Sequence, residues 1–216
     1  MTMATSALDE ARRAVARASQ GLAGEGLLIG SAGNVSVRVG EHVAVTATGV
    51  VLGRAAADDV TVVDLDGTVV AGERVPTSEL ELHLGIYRRY GAGAVVHTHS
   101  PQATAVSLVL DELPCVHYQQ LVLGGAIRVV PFAVFGSAEL AAETLKALEG
   151  KAAALLANHG AVTHGPTLEA AVDNALLLEW ACGLYVRAAA LGAPRVLDSE
   201  QQDAVVAAAV RRGYGR

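Results

Sequence analysis

The sequence predicts an α/β fold: a single domain over residues 1–216, with a mixed, mostly antiparallel central sheet covered by helices. Three observations predict it. Two hairpin signals stand back to back between residues 34 and 72, and strand-like and helix-like stretches alternate from residue 76 onward. No Pro/Ser-rich linker or internal repeat interrupts the chain, and 52% of its 216 residues are apolar, enough for one substantial core.

The elements follow in order. Residues 7–23 place Leu8, Ala11, Val15 and Ala18 on one face, the period of an amphipathic helix. SVRV and HVAV flank Gly40-Glu41, a two-residue hairpin turn. VTVV and TVVAG flank Asp66-Gly67, a pair suited to a type I′ turn. Pro76 opens a helix over SELELHLGIYRRY, with Ser78 and Glu81 spaced as a capping box. AVVHTHS reads as a strand, PQATAVSLVL as a helix, and CVHYQQLVL as either a strand or an irregular crossover. IRVVPF is a strand, SAELAAETLKALEG a helix, and AAALLANHGAVTHG a strand pair broken at Asn158-His159-Gly160. A long, mostly apolar helix runs from Thr167 toward Gly192, and Ser199 to Arg212 forms the last helix before the tail GYGR.

Bulk properties exclude several function classes. A net charge of −6 without a Lys/Arg block argues against nucleic acid or an anionic membrane as partner. A phosphate ligand would have to be held by backbone N–H groups and hydroxyls. The N-terminal stretch has no continuous apolar core of a signal peptide, and no run approaches 18 apolar residues. Cys115 and Cys182 are isolated, so a reducing, cytoplasmic setting is expected.

The chemistry concentrates in a few segments. Alternate residues of a strand project to one face, so His97 and His99 of VVHTHS can reach one metal ion. Taken alone they are equally the polar end of a buried strand. Among the seven histidines, His159 is the best third candidate: it ends the apolar run AAALLAN and precedes a glycine, a position that presents a side chain from a rigid element. His42 falls in a hairpin turn, His83 within a helix face, and His164 in a polar turn. Three further segments suit an anion. GSAGNVS (30–36) can expose N–H groups in a tight loop, VTATG (45–49) supplies Thr48 and Gly49, and PTSE (76–79) places two hydroxyls at a helix start. Read singly, they are also turn glycines, a strand end and a helix cap. Neither a Walker A spacing nor a GxGxxG is present.

As an ordered set, GSAGNVS, VTATG, PTSE, AVVHTHS, LPCVHY, PFAVFGS, LLANHG and the terminal YG resemble the class II aldolase/adducin-head family, and within it the L-fuculose-1-phosphate aldolases. The resemblance implies a zinc ion, one per subunit, on His97, His99 and His159. Glu79 would be a further ligand and the group that moves a proton on the substrate, with Glu81 left as a surface residue. It implies a substrate phosphate held by Gly33, Asn34, Thr48, Gly49, Thr77 and Ser78. Tyr118, supplied by a neighbouring subunit, would act on the aldehyde oxygen, and Phe135 and Tyr214 would shape the aldehyde pocket. It implies a homotetramer with active sites between subunits. The reaction implied is cleavage of a ketose 1-phosphate, such as L-fuculose 1-phosphate, to dihydroxyacetone phosphate and an aldehyde such as L-lactaldehyde.

Other members of the family remain open at this stage. Ribulose-phosphate 4-epimerases carry an aspartate where Glu79 stands, and deoxypentulose- or methylthioribulose-phosphate aldolases and dehydratases share the histidines. Adducin heads keep the fold without the chemistry. A Schiff-base route is poorly supported, because Lys146 and Lys151 are the only lysines and both lie in a polar helix-end region.

Overall fold

The computed structural model describes residues 3–213 and arranges nine strands in one sheet in the order β4-β3-β2-β1-β5-β9-β8-β7-β6. The strands are β1 (Asn34–Val39), β2 (His42–Thr46), β3 (Val60–Asp64), β4 (Val69–Ala71), β5 (Ala94–Thr98), β6 (Glu112–Leu113), β7 (Ile127–Val130), β8 (Ala153–Leu156) and β9 (Gly160–Gly165). The helices are α1 (Met3–Gly24), α2 (Leu80–Tyr90), α3 (Pro101–Ser107), α4 (Ala138–Ala147), α5 (Leu168–Ala189) and α6 (Ser199–Arg212). Every strand pair is antiparallel except β7 with β8. The expected mixed, mostly antiparallel sheet is therefore what forms.

Period-2 alternation divides the strands between two buried faces. Ala44, Val62, Ala94 and Val96 pack with α1 and the first half of α5. Val43, Val45, Val63 and Val95 face the other way, onto Leu82, Ile86 and Tyr87 of α2 and Leu140 and Ala141 of α4. Ala153, Leu155 and Ala161 join Ala103 of α3 and Leu178 and Cys182 of α5 in a third cluster. Residues of β1 and β5 that share the α2 side, Asn34, Ser36 and His97, are thereby aimed at the start of that helix.

Local geometry departs from expectation in two turns. Asp66 does not take the positive φ that a type I′ turn requires; only Gly67 does, at φ 90°. Asp64 instead accepts from the N–H groups of Asp66 and Thr68, each at 2.9 Å, so a three-residue loop with a left-handed glycine closes the hairpin. The capping box of Ser78 and Glu81 does not form either. Glu79 is the N-cap of α2, no side chain caps it, and Thr77 Oγ1 accepts from Glu79 N at 3.3 Å. Ser78 is left facing the cleft described below. The ambiguous CVHYQQLVL segment resolves as a 3-10 helix over Tyr118–Leu123. His164, expected in a polar turn, lies in β9 and is partly buried, stacked on Tyr90.

Candidate metal centre and substrate cleft

Antiparallel pairing brings one end of the sheet together. The register sets Asn34 against His97, and Thr98 against Ala161, so the start of β1, the end of β5 and the β8–β9 turn share an edge. In that turn Asn158 takes the left-handed conformation at φ 59° and delivers His159. Gly160 follows because a Cβ there would lie 2.1 Å from the carbonyl oxygen of Thr98. Nearby, Thr48 N donates to Val75 O at 2.9 Å and Thr77 N to Thr46 O at 3.1 Å, tying residues 46–48 beside 75–77. Segments separated by some thirty residues thus line one site, which sequence spacing alone does not reveal.

Glu79, His97, His99 and His159 converge there, their ligand atoms all within 4.8 Å of one another. His97 Nε2 lies 3.0 Å from Glu79 Oε2 and 3.0 Å from His99 Nε2. His159 Nε2 is 3.6 Å from Glu79 Oε1. The three imidazole rings meet edge to face at 4.8–4.9 Å. His97 Nδ1 stands 2.9 Å from the carbonyl of Ala161, a bond that spends its N–H and leaves Nε2 as a lone pair in the neutral ring. Nε2 then faces the carboxylate oxygen of Glu79, acceptor against acceptor, with the His99 nitrogen equally close. Glu79 Oε1 is buried and has no hydrogen-bond partner among the described residues. A divalent cation satisfies all of these groups at once, so the donor set fits a metal ion.

Ionisation supports the same reading. Burial alone would raise the Glu79 carboxyl, but His97 and the Asn34 hydrogen bond outweigh it and hold the group well below the usual carboxylate range. Burial, reinforced by His97 and His159, pulls His99 down to about 4, and burial likewise lowers His159. Neutral imidazoles and an ionised carboxylate are the forms that bind a metal.

These shifts predict how the metal-stripped protein responds to acid. His83, His99, His159 and His164 all titrate below their ordinary value, chiefly through burial. An unfolded chain binds protons at these rings near about pH 6.5, before the folded chain does. Stability from this source is therefore full above that pH and is lost as pH falls from there toward 4. Chelator-treated protein should show a falling urea midpoint between pH 7 and pH 4.5. A flat midpoint across that interval would contradict the burial of neutral histidines.

A cleft of about 390 Å³ opens beside the cluster. Gly33, Asn34, Thr48, Gly49, Thr77 and Ser78 line it, together with Glu79, His99, His159 and Phe135, so ten of the thirteen residues expected from sequence share one cavity wall. The His97 ring is buried behind them. No lysine or arginine lines the cleft among the described residues. Phe132, Ala133 and Val134 add an apolar side that sequence reasoning did not single out. Gly136 seats this segment: a Cβ there would come 2.6 Å from the Ser78 carbonyl oxygen.

One described residue does not join. Tyr118 is 54% exposed and lines no part of its own chain's cleft; its ring rests on His117, which in turn meets the edge of Trp180. Tyr214 lies outside the described residues. The side chain of Asn34 is engaged within the protein, donating from Nδ2 to Glu79 Oε2 at 3.0 Å. Sequence reasoning also missed His83, which is fully buried beside Asn34. Its signal was present: Glu79, His83 and Tyr87 recur every four residues on one helical face, opposite the alternate strand residues Asn34 and Ser36.

The family model for the class II aldolase and adducin N-terminal domain matches residues 13–186. The chain belongs to the class II aldolase and adducin family. It is 37% identical over 183 residues to the 5-methylthioribulose-1-phosphate/5-deoxyribulose-1-phosphate aldolase of Rhodospirillum rubrum, covering 84% of this chain and 82% of that protein. It is 32% identical over 212 residues to the 5-deoxy-D-ribulose 1-phosphate aldolase of Bacillus thuringiensis, covering 97% of this chain and 99% of that one. The solved structure of an L-fuculose 1-phosphate aldolase superposes with a TM-score of 0.87 at 32% identity, covering 91% of this chain and 94% of that one. With a histidine and glutamate cluster that could hold a metal ion, the chain is an enzyme of this family, a metal-dependent class II aldolase, and sugar phosphates are the substrates on which such enzymes act. Among the described residues no helix is long and apolar enough to cross a membrane.

Proposed function

We propose that the protein cleaves a ketose 1-phosphate between C3 and C4, releasing dihydroxyacetone phosphate and a short aldehyde. The observation that carries this reading is the cleft itself: a three-histidine, one-carboxylate cluster flanks a wall of hydroxyls and glycines on one side and Phe132–Phe135 on another. In this reading His97, His99, His159 and Glu79 hold a zinc ion, one per subunit. That ion supplies Lewis-acid stabilisation of the negative charge developing on the ketose oxygens.

The chain's own residues do the remainder. Gly33, Asn34, Thr48, Gly49, Thr77 and Ser78 hold the phosphate through N–H groups and hydroxyls, consistent with a cleft free of basic side chains. The partner subunit's Tyr118 takes the proton from the C4 hydroxyl as the C3–C4 bond breaks. Exposure of Tyr118 away from its own cleft suits a residue that serves a second copy. Glu79 handles the proton at C3. Its lowered pKa keeps it ionised at rest, the form that removes that proton from dihydroxyacetone phosphate in the condensation direction. By reversibility, cleavage needs Glu79 to take up a proton from solvent and pass it to C3, while the proton from the C4 hydroxyl leaves through Tyr118 to solvent, so the two balance. Phe135 lines the aldehyde end. The active form is a cytoplasmic homotetramer, each chain acting as one domain.

L-fuculose 1-phosphate, which yields L-lactaldehyde, is one substrate of this type. A second reading, favoured by the names of the two relatives at 37% and 32% identity, is a 5-deoxypentulose or 5-methylthiopentulose 1-phosphate. All three leave an aldehyde with an apolar end, which suits Phe132 and Phe135. Purified, metal-loaded protein should release dihydroxyacetone phosphate from at least one of them in an assay coupled to its reduction by NADH. Release from none would sink the proposal, and relative kcat/KM values would rank the substrates.

A further inference from the structure

A chain of buried polar side chains runs from the core to the Glu79 carboxylate. Tyr87 Oη lies 2.6 Å from Ser36 Oγ, which lies 2.7 Å from His83 Nδ1. His83 Nε2 lies 2.5 Å from Asn34 Oδ1, and Asn34 Nδ2 donates to Glu79 Oε2 at 3.0 Å. Ser36 and His83 are fully buried, and Tyr87 and Asn34 nearly so, at 1% and 4% exposure.

The carboxylate sets the direction of every bond in this chain. An ionised Glu79 only accepts, so Asn34 turns its amide toward it and its carbonyl toward His83. Nε2 of His83 must then carry the proton. The fully buried ring is neutral, which leaves Nδ1 an acceptor toward Ser36. Ser36 therefore donates to Nδ1 and accepts in turn from the Tyr87 hydroxyl. Apolar packing of the same volume would serve stability at least as well as such a buried polar row. What the row adds is a fixed orientation at its end.

We propose that His83 is a positioning residue for the reaction: through Asn34 it pins Glu79 Oε2 and so fixes the orientation in which the carboxylate exchanges a proton with the substrate. This rests on the proton-transfer role proposed for Glu79. Oε1 is buried and makes no hydrogen bond among the described residues, so the Asn34 amide is the group through which this row holds the carboxylate. Without the Nε2–H of His83, the Asn34 amide is free to rotate and to offer its carbonyl to Glu79, a repulsive contact that swings the carboxylate away.

The test isolates the proton step. Dihydroxyacetone phosphate alone in deuterated water should exchange its C3 proton on the metal-loaded enzyme, followed by NMR, with metal content and melting temperature measured in parallel. His83→Leu should slow exchange roughly 10–100-fold, the usual cost of losing an outer-shell partner, with KM for dihydroxyacetone phosphate unchanged. His83→Gln, whose amide can donate to Asn34 and accept from Ser36, should recover most of the rate. Exchange by folded, metal-loaded His83→Leu at the wild-type rate would overturn the proposal, as would a loss confined to KM or to metal content, or a His83→Gln variant as slow as His83→Leu. If His83→Leu does not fold, Ser36→Ala takes its place: it frees His83 to adopt the other tautomer and should also slow exchange, and a wild-type rate there overturns the proposal. Exchange by Glu79→Gln at the wild-type rate would remove the Glu79 role and this inference with it. Slow exchange in Glu79→Gln beside normal exchange in His83→Leu would remove this inference alone.

Discussion

Exchanging His99 for Ala should remove the bound metal and the cleavage activity together, and His97→Ala should do the same. His97 Nε2 sits 3.0 Å from both Glu79 Oε2 and His99 Nε2, at the centre of the donor set. Losing either imidazole leaves an incomplete set around the ion, and the ion's Lewis-acid contribution of several kcal/mol goes with it. Loss of about 4 kcal/mol corresponds to roughly a thousandfold in kcat. The two variants differ in their side effects. His97 is fully buried and its Nδ1 serves the Ala161 carbonyl, so its removal also leaves a cavity and an orphaned acceptor. His99 is only partly buried and makes the cleaner variant. Metal analysis by mass spectrometry, beside activity and a thermal melt, separates these effects. Stoichiometric metal with full cleavage in His99→Ala would return the pair to being the polar end of a strand.

Glu79→Gln should cost about 10²–10⁴-fold in turnover while the fold and KM change little. Glutamine keeps the volume, and its carbonyl still accepts from Asn34, but an amide cannot carry a proton to and from C3 at neutral pH. KM is insulated because the residues proposed to hold the phosphate, Thr48 and Gly49 among them, line the cleft independently of the carboxylate. Metal content must be measured in the same preparation, since Glu79 lies in the ligand cluster. Near-normal turnover with bound metal would remove the carboxylate from the proton transfer.

Much of this site was legible because strand and loop chemistry is local. The HxH spacing places two imidazoles on one side of a strand whatever the rest of the chain does, and β5 carries His97 on the face that meets α2. Glycines at 33 and 49 adopt the left-handed conformation expected of a tight, N–H-exposing loop. The Ser78 capping box failed for an equally physical reason. Bridging of Ala47 with Pro76 fixes the chain entering α2, Glu79 is drawn to His97 and Asn34, and the hydroxyl that local pattern would spend on a cap is left in the cleft.

The sequence by itself determined the element types, the two-sided burial of the sheet and the residue types able to hold a metal and an anion. These depend on periodicity and side-chain chemistry within a few residues. Only the tertiary structure decided that His159, more than fifty residues beyond His97, closes the metal cluster, because antiparallel pairing of β5 with β9 sets Thr98 against Ala161 and so carries the β8–β9 turn to the end of β5. Only it decided that His83, expected merely within a helix face, is aimed through Asn34 at the Glu79 carboxylate. Such contacts arise where register brings distant segments face to face, and no local pattern encodes the register of strands so far apart.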